Sequence, residues 1–346
     1  MKPHLHKVKR IFDYTDKSEY DFILNQSERS QPIPHSYYTK FLRSLKQEDF
    51  AYYPNTKNFK EKICEFYNVK PENLFLSDGS DVGIKSIFET FTTCGNIVTS
   101  EPSFPMYGVY ASLYNCPYRG INYDVDLLEF SIEHMLKFVN DETQLIILAN
   151  PNSPIGDYKT IEEIKPLLDT GIPVLIDEAY IEFGKNESFI KYIDDYPNLI
   201  ITRTFSKGFG AAGCRVGMTF SNPHYIENIS KFRQMYEISG VSMKYCEFLL
   251  DNYHIVDNYI NEVIEEKKKV VSMLKNYEVV DSDCNWIHFN NQEDNKKTKE
   301  ILEKHKVLVK YCKVHPSGFR ENWCRMTIQP GLSEQEFFKE LTSEIS

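Results

Sequence analysis

The sequence predicts an α/β protein: a large region built on a mostly parallel seven-stranded sheet, followed by a smaller α+β region. Three observations carry this expectation. Apolar runs of strand length alternate with helix-length stretches from about residue 36 to 220, the pattern of a parallel sheet covered by helices. Past about residue 222 the alternation gives way to a long charged helical stretch and then a few short strands. The chain has 346 residues, enough for two such units sharing an interface.

Taken in order, residues 1–34 read as an N-terminal arm, polar, with an extended DFILNQ and a proline-bounded SQPIPHS; His4 and His6 fall on a mobile tail. The large domain is expected over 35–225. Its strands are NLFLS (73–77), NIVTS (96–100), YRGINY (118–123), QLIILA (144–149), IPVLID (172–177), LIITRT (199–204) and CRVGMTF (214–220). Helices are expected near 57–68, 80–92, 105–114, 127–138 and 159–169. The small domain, 226–346, opens with helical HIVDNYINEVIEEKKKVVSMLKNY (254–277), whose EEKKK run reads as a solvated face. It continues through VVDSDCNWIHF, KVLVKYC and WCRMTIQP to a final helix, SEQEFFKELTSEI.

Composition narrows the function. A net charge of −10 with no basic block argues against a nucleic-acid groove or an anionic membrane surface as partner. The longest apolar runs, such as LIILA, are too short to span a bilayer, and the first residues lack the apolar segment of a secretory signal. The eight cysteines are scattered without C-x-x-C pairs, which points to reduced thiols and the cytoplasm. No histidine spacing suggests a metal. What remains is a small-molecule pocket in which a few local cations hold an anionic substrate.

The stretch TFSKGFGAAGCRVG (204–217) contains GFGAAG, a match to the dinucleotide fingerprint G-x-G-x-x-G. That motif needs a strand, a tight turn and then a long helix facing the pyrophosphate. Here three residues separate the strand from Gly208, and only Cys214 separates Gly213 from the next strand. There is no room for the helix. The flanks are more informative: Lys207 in a glycine-rich turn suits a Schiff base, and Thr204, Ser206 and Arg215 suit a phosphate dianion.

Other strand ends agree. DEAYIEF places Asp177 and Tyr180 three apart beyond a strand; a pyridine cofactor needs a carboxylate at its ring nitrogen and a phenol near its ring oxygen. NPNSPIG offers an asparagine to that oxygen, and Phe104 in EPSFPMYG a ring that could stack. In SDGSDVGIKSIF, Gly79, Ser80 and Asp81 open a helix whose free amides can hold a phosphate.

With these residues the whole chain resembles the fold-type-I pyridoxal 5'-phosphate (PLP) enzymes of the aspartate aminotransferase superfamily, closest to the histidinol-phosphate aminotransferases. DEAYIEF and R-T-x-S-K-x-F-x-x-A-G-x-R-x-G are characteristic there, and LNQSE (24–28), YYPN (52–55) and WCRMTI (323–328) are similar to further family segments. The resemblance implies that Lys207 holds the cofactor and moves the proton, with Asp177 on the ring nitrogen. Tyr180 and Asn152 would contact the ring oxygen, and Phe104 would stack on the ring. Gly79, Ser80, Asp81, Thr204, Ser206 and Arg215 would hold the phosphate. Tyr53 would reach it from a neighbouring subunit, making a homodimer, and Arg325 would grip the substrate's anionic end.

Two positions depart from the family. Ser153 stands where an asparagine usually precedes the turn's proline. Lys310 stands where a second substrate-binding arginine is common, a point charge in place of a rigid fork. Arm residues, Asn25, Tyr14 and Tyr20 among them, are expected to cover the substrate. Transamination from a donor such as glutamate is the leading expectation. Decarboxylation of a phosphorylated amino acid is the alternative, and a non-catalytic module would have lost Lys207 or Asp177.

Overall fold

Ile146 and Ile147 are neighbours in one strand, point to opposite faces, and are both fully buried. Each packs into a different core, as the inner strand of a sheet covered on both sides must. The computed structural model of the chain describes residues 3–10, 15–124, 129–290, 295–312 and 323–343. A short strand, β1 (Phe22–Ile23), precedes β2 (Leu74–Asp78), β3 (Asn96–Glu101), β4 (Tyr118–Asn122), β5 (Thr143–Ala149), β6 (Val174–Asp177), β7 (Leu199–Thr204) and β8 (Val216–Ser221).

β2 to β8 form one seven-stranded sheet in the order β2-β8-β7-β6-β5-β3-β4. Neighbours from β7 to β4 are parallel, while β8 runs antiparallel to both β2 and β7. This is the mostly parallel sheet that the sequence predicts. One face is covered by helices Gly79–Phe91 and Met106–Leu113, which bring Ile84, Ile87, Phe88 and Tyr107 into one core. The opposite core includes Ile164 and Leu167 of helix Ile161–Leu168. That helix starts where Thr160 and Glu163 form a reciprocal capping box.

The later strands are β9 (Glu278–Val280), β10 (Trp286–Asn290), β11 (Val307–Leu308), β12 (Lys310–Tyr311) and β13 (Cys324–Thr327). Four of them form an antiparallel sheet in the order β12-β13-β10-β9. The helix expected over 254–277 spans His254–Met273. Its EEKKK run is not wholly a solvated face, since Glu266 and Lys267 are buried. Glu266 accepts from the Ser333 amide at 2.6 Å, and Lys267 donates to the carbonyls of Ser282 and Cys284.

The arm is stitched to these later elements. β1 pairs in parallel with β11, the Leu24 amide donates to Leu308 O at 2.7 Å, and the Thr327 amide donates to Leu24 O at 2.9 Å. His4, expected on a mobile tail, meets the Leu113 carbonyl at 2.9 Å. Tyr14 lies outside the described residues. Among the described residues no helix is long and apolar enough to cross a membrane, and no His, Cys, Asp or Glu cluster could hold a metal.

Leu24 of the arm is buried in the main hydrophobic core. Leu24→Ala is therefore expected to cost about 2–5 kcal/mol in urea unfolding, and hydrogen exchange should show the β1 and β11 amides losing protection first.

Candidate active site

Ala149, Asp177 and Thr202 stand level across β5, β6 and β7. A cavity of about 430 Å³ opens at these carboxyl ends, where ligands bind in sheets of this kind. At one end it is lined by Ser80 and Asp81, from the first turn of helix Gly79–Phe91, and by Thr204, Ser206 and Arg215 from the turn between β7 and β8. The free amides of a thirteen-residue helix and a guanidinium thus face one space, a suitable cradle for a phosphate. The backbones meet closely here. Gly79 has φ +76°, and a Cβ on it would strike the Arg215 guanidinium; one on Gly217 would strike the backbone of Gly79 and Ser80. Arg215 itself takes a left-handed backbone, φ 53°.

Asp177 lies on the cavity wall yet is only 5% exposed. Each carboxylate oxygen accepts one hydroxyl: Oδ2 from Tyr107 at 2.9 Å and Oδ1 from Thr202 at 3.0 Å. Burial pushes this carboxyl above the ordinary range, and the two hydroxyls with the Ala179 amide pull it partly back. Phe104 lines the same cavity and meets Tyr107 edge-on, ring centres 5.5 Å apart.

Lys207 is half-buried, its Nζ donating to Gln26 O at 2.7 Å and lying 5.3 Å from the Tyr180 ring centre. The glycines after it bound no dinucleotide helix. A short turn, Ala212–Cys214, leads straight into β8. Behind the lysine, buried Arg203 pairs with Glu178 at 3.1 Å and Glu182 at 2.7 Å, and Gly208 leaves room only for the Glu182 side chain. Glu178 also accepts from Ser188 and from the Phe189 amide, both at 2.6 Å.

Arg325 does not line the cavity; two aromatic rings connect it there. Its guanidinium lies 4.9 Å over Trp286, whose ring meets Tyr180 edge-on at 4.6 Å. Arg325 also donates to Asn25 O at 3.3 Å. Lys310 is directly opposite Arg325 in the β12–β13 pair, on an exposed segment.

Ser80, Asp81, Phe104, Asp177, Tyr180, Thr204, Ser206, Lys207 and Arg215 line the cavity as expected, while Gly79, Asn152, Asn25, Tyr53, Arg325 and Lys310 do not. Asn152 is buried and does not line the cavity; Ser153 does. The Asn152 amide donates to Ser100 Oγ and Pro102 O, and its oxygen accepts from the Ile155 amide, so the side chain is spent on holding its own turn. Asn25 and Tyr20 do not line the cavity either; Gln26 and Glu28 represent the arm there. Tyr53 is 77% exposed and stacks on Tyr236 at 4.1 Å. Sequence reasoning missed Tyr107, Thr202, Gln26, Glu28 and Ser153. Thr202 was within reach, two residues before Thr204 on one strand face. Gln26 and Glu28 lie within LNQSE, the arm segment that the sequence singled out, but which of its residues reach the cavity depends on distant pairing.

The sequence profile of the family described as "Aminotransferase class I and II" matches residues 22–341. The chain belongs to this family. Like other such aminotransferases it is similar to histidinol-phosphate aminotransferases: that of Christiangramia forsetii is 32% identical over 304 residues, 84% of this chain and 85% of the relative. Among solved structures, histidinol-phosphate aminotransferase from Sinorhizobium meliloti in complex with pyridoxal-5'-phosphate shares the fold with a TM-score of 0.83 at 18% identity, covering 99% of this chain and 95% of the other. L-threonine-O-3-phosphate decarboxylase from Porphyromonas gingivalis shares it with a TM-score of 0.78 at 18% identity, covering 94% and 99%. The aminotransferase uses PLP, and the cavity fits that group: a phosphate cradle, a buried carboxylate and a lysine surround one space.

The raised Asp177 carboxyl gives a testable sign. A carboxyl whose folded value lies above its unfolded value contributes stability at low pH that is lost as pH rises through the folded value. In cofactor-free protein, Asp177→Asn should therefore gain thermal stability relative to wild type as pH rises from the ordinary carboxylate range near about 4. Scanning calorimetry across pH checks this; a gap independent of pH would contradict it.

Proposed function

We propose that the enzyme transfers an amino group from an amino acid, glutamate in the first instance, to a carbonyl compound carrying a phosphate, of the kind histidinol-phosphate aminotransferases handle. The observation that carries this reading is Lys207 in one cavity with the buried Asp177 carboxylate and the Ser80–Arg215 cradle, in a chain 32% identical to such a relative.

When bound, the cofactor supplies an aldehyde that condenses with amines and a ring that takes up an electron pair. Lys207 Nζ would hold the cofactor between turnovers and would be the base that moves the proton of the substrate α-carbon. Asp177 would keep the ring nitrogen protonated, and Tyr180 would donate to the ring oxygen. Ser153, rather than Asn152, faces the cavity from the NPNSPIG turn. Gly79, Ser80, Asp81, Thr204, Ser206 and Arg215 anchor the phosphate. Arg325 receives the substrate's anionic end, with Lys310 on the strand beside it.

A second copy of the chain completes the site. Phe50, Tyr52, Tyr53 and Met235 are each at least 68% exposed, more apolar surface than a lone subunit usually shows in one region. Tyr53 reaches the partner's phosphate cradle from this surface. The eight free thiols suit the reducing cytoplasm.

Purified enzyme holding PLP on Lys207 should be yellow, and adding glutamate should bleach that colour while oxoglutarate appears; release of carbon dioxide without an amino donor would instead mark a decarboxylase. Lys207→Ala should lower turnover by at least about 10²–10⁴-fold. Arg325→Lys, which keeps the charge but loses the fork, should raise KM for the anionic substrate about tenfold or more with a smaller change in kcat.

A further inference from the structure

Tyr107 is fully buried, on the first turn of helix Met106–Leu113, and its chemistry is unused by the reading above. A buried phenol needs a partner for its hydroxyl, and here the partner is Asp177 Oδ2 at 2.9 Å. The same ring stands edge-on to Phe104 on the cavity wall. One side chain therefore touches two of the groups assigned to the cofactor ring, from behind both.

We propose that Tyr107 is a positioning residue of the cofactor site: its hydroxyl fixes the carboxylate of Asp177 in the orientation that meets the ring nitrogen, and its ring braces Phe104. This rests on the reading that Asp177 serves that nitrogen. The geometry leaves the carboxylate little freedom. Thr202, fully buried, holds Oδ1 at 3.0 Å while Tyr107 holds Oδ2, so rotation of the carboxylate breaks both bonds. Burial, with the Asp177 charge beside it, keeps the phenol protonated far above neutrality, so that it remains a donor. A hydrogen bond to a charged group in such a site is worth more than a neutral one. The other ionisable groups facing the pair are Asp81 near the carboxylate and Tyr118 and Tyr180 near the phenol.

The test measures PLP affinity rather than turnover. Wild type, Tyr107→Phe and Asp177→Asn are stripped of cofactor, and Kd for PLP is titrated from acid to neutral pH. Phenylalanine keeps the ring contact with Phe104 and withdraws only the donor. Asp177 then protonates more readily, so the carboxylate is lost at higher pH as the solution is acidified. Subtracting the Asp177→Asn profile removes the contributions of the other titrating groups. The expected result is an acid limb moved to higher pH, with about tenfold weaker binding within it and a smaller loss above it, where the carboxylate is ionised but held by Thr202 alone. An unchanged profile overturns the proposal, as does an equal loss at every pH, which packing alone would give. If Asp177→Asn keeps the wild-type limb, the assignment of Asp177 fails first and the proposal with it. Should Tyr107→Phe fail to fold, ring-fluorinated tyrosine at 107, a stronger donor of similar shape, should move the limb to lower pH; an unmoved limb overturns the proposal equally.

Discussion

A carboxylate taken out of water at the end of a strand is costly, and the cavity of this enzyme is organised around one. Asp177 ends β6 between β5 and β7, nearly inaccessible to solvent. Two hydroxyls from different elements satisfy it, yet burial still holds its carboxyl above the ordinary range. On the proposed reading, a protonated ring nitrogen would supply the missing positive charge. Binding of the cofactor and tolerance of this buried charge would then be one interaction seen from two sides.

A second buried charge has the opposite purpose. Arg203 faces away from the cavity and is neutralised within the protein by Glu178 and Glu182. The pair lies behind the Lys207 turn, with Glu182 filling the space that Gly208 leaves. Adjacent strands therefore carry a carboxylate left for a ligand and an ion pair closed on itself. Breaking the closed pair would strand a charge in the core, so the turn that presents Lys207 has a rigid back wall.

Much of this was legible in the sequence because the sheet is regular. Most of the seven strands are apolar runs bounded by turn residues, and the sheet brings the carboxyl ends of its parallel strands together with the start of antiparallel β8. Lys207, Asp177, Tyr180, Ser80 and Arg215 could be gathered without coordinates for that reason. The rest depended on details that periodicity does not encode. That Ser153 rather than Asn152 lines the cavity goes with the Asn152 amide donating to Ser100 and Pro102. Glu266 and Lys267 look solvated in a charged run, but the partners that bury them come from residues 282–284 and 333. The pairing of β1 with β11 joins segments nearly 300 positions apart, and no local pattern announces it.

That pairing brings two adjacent carbonyls over two different cations. Asn25 O receives Arg325, and Gln26 O receives Lys207. The arm is thereby a yoke between Arg325 and Lys207. Neither end can be retuned alone through this segment: a change that shifts the backbone at 25 shifts it at 26. Divergence toward a new substrate by way of the arm must carry its consequences for the lysine with it, whereas changes from β12 leave the yoke in place.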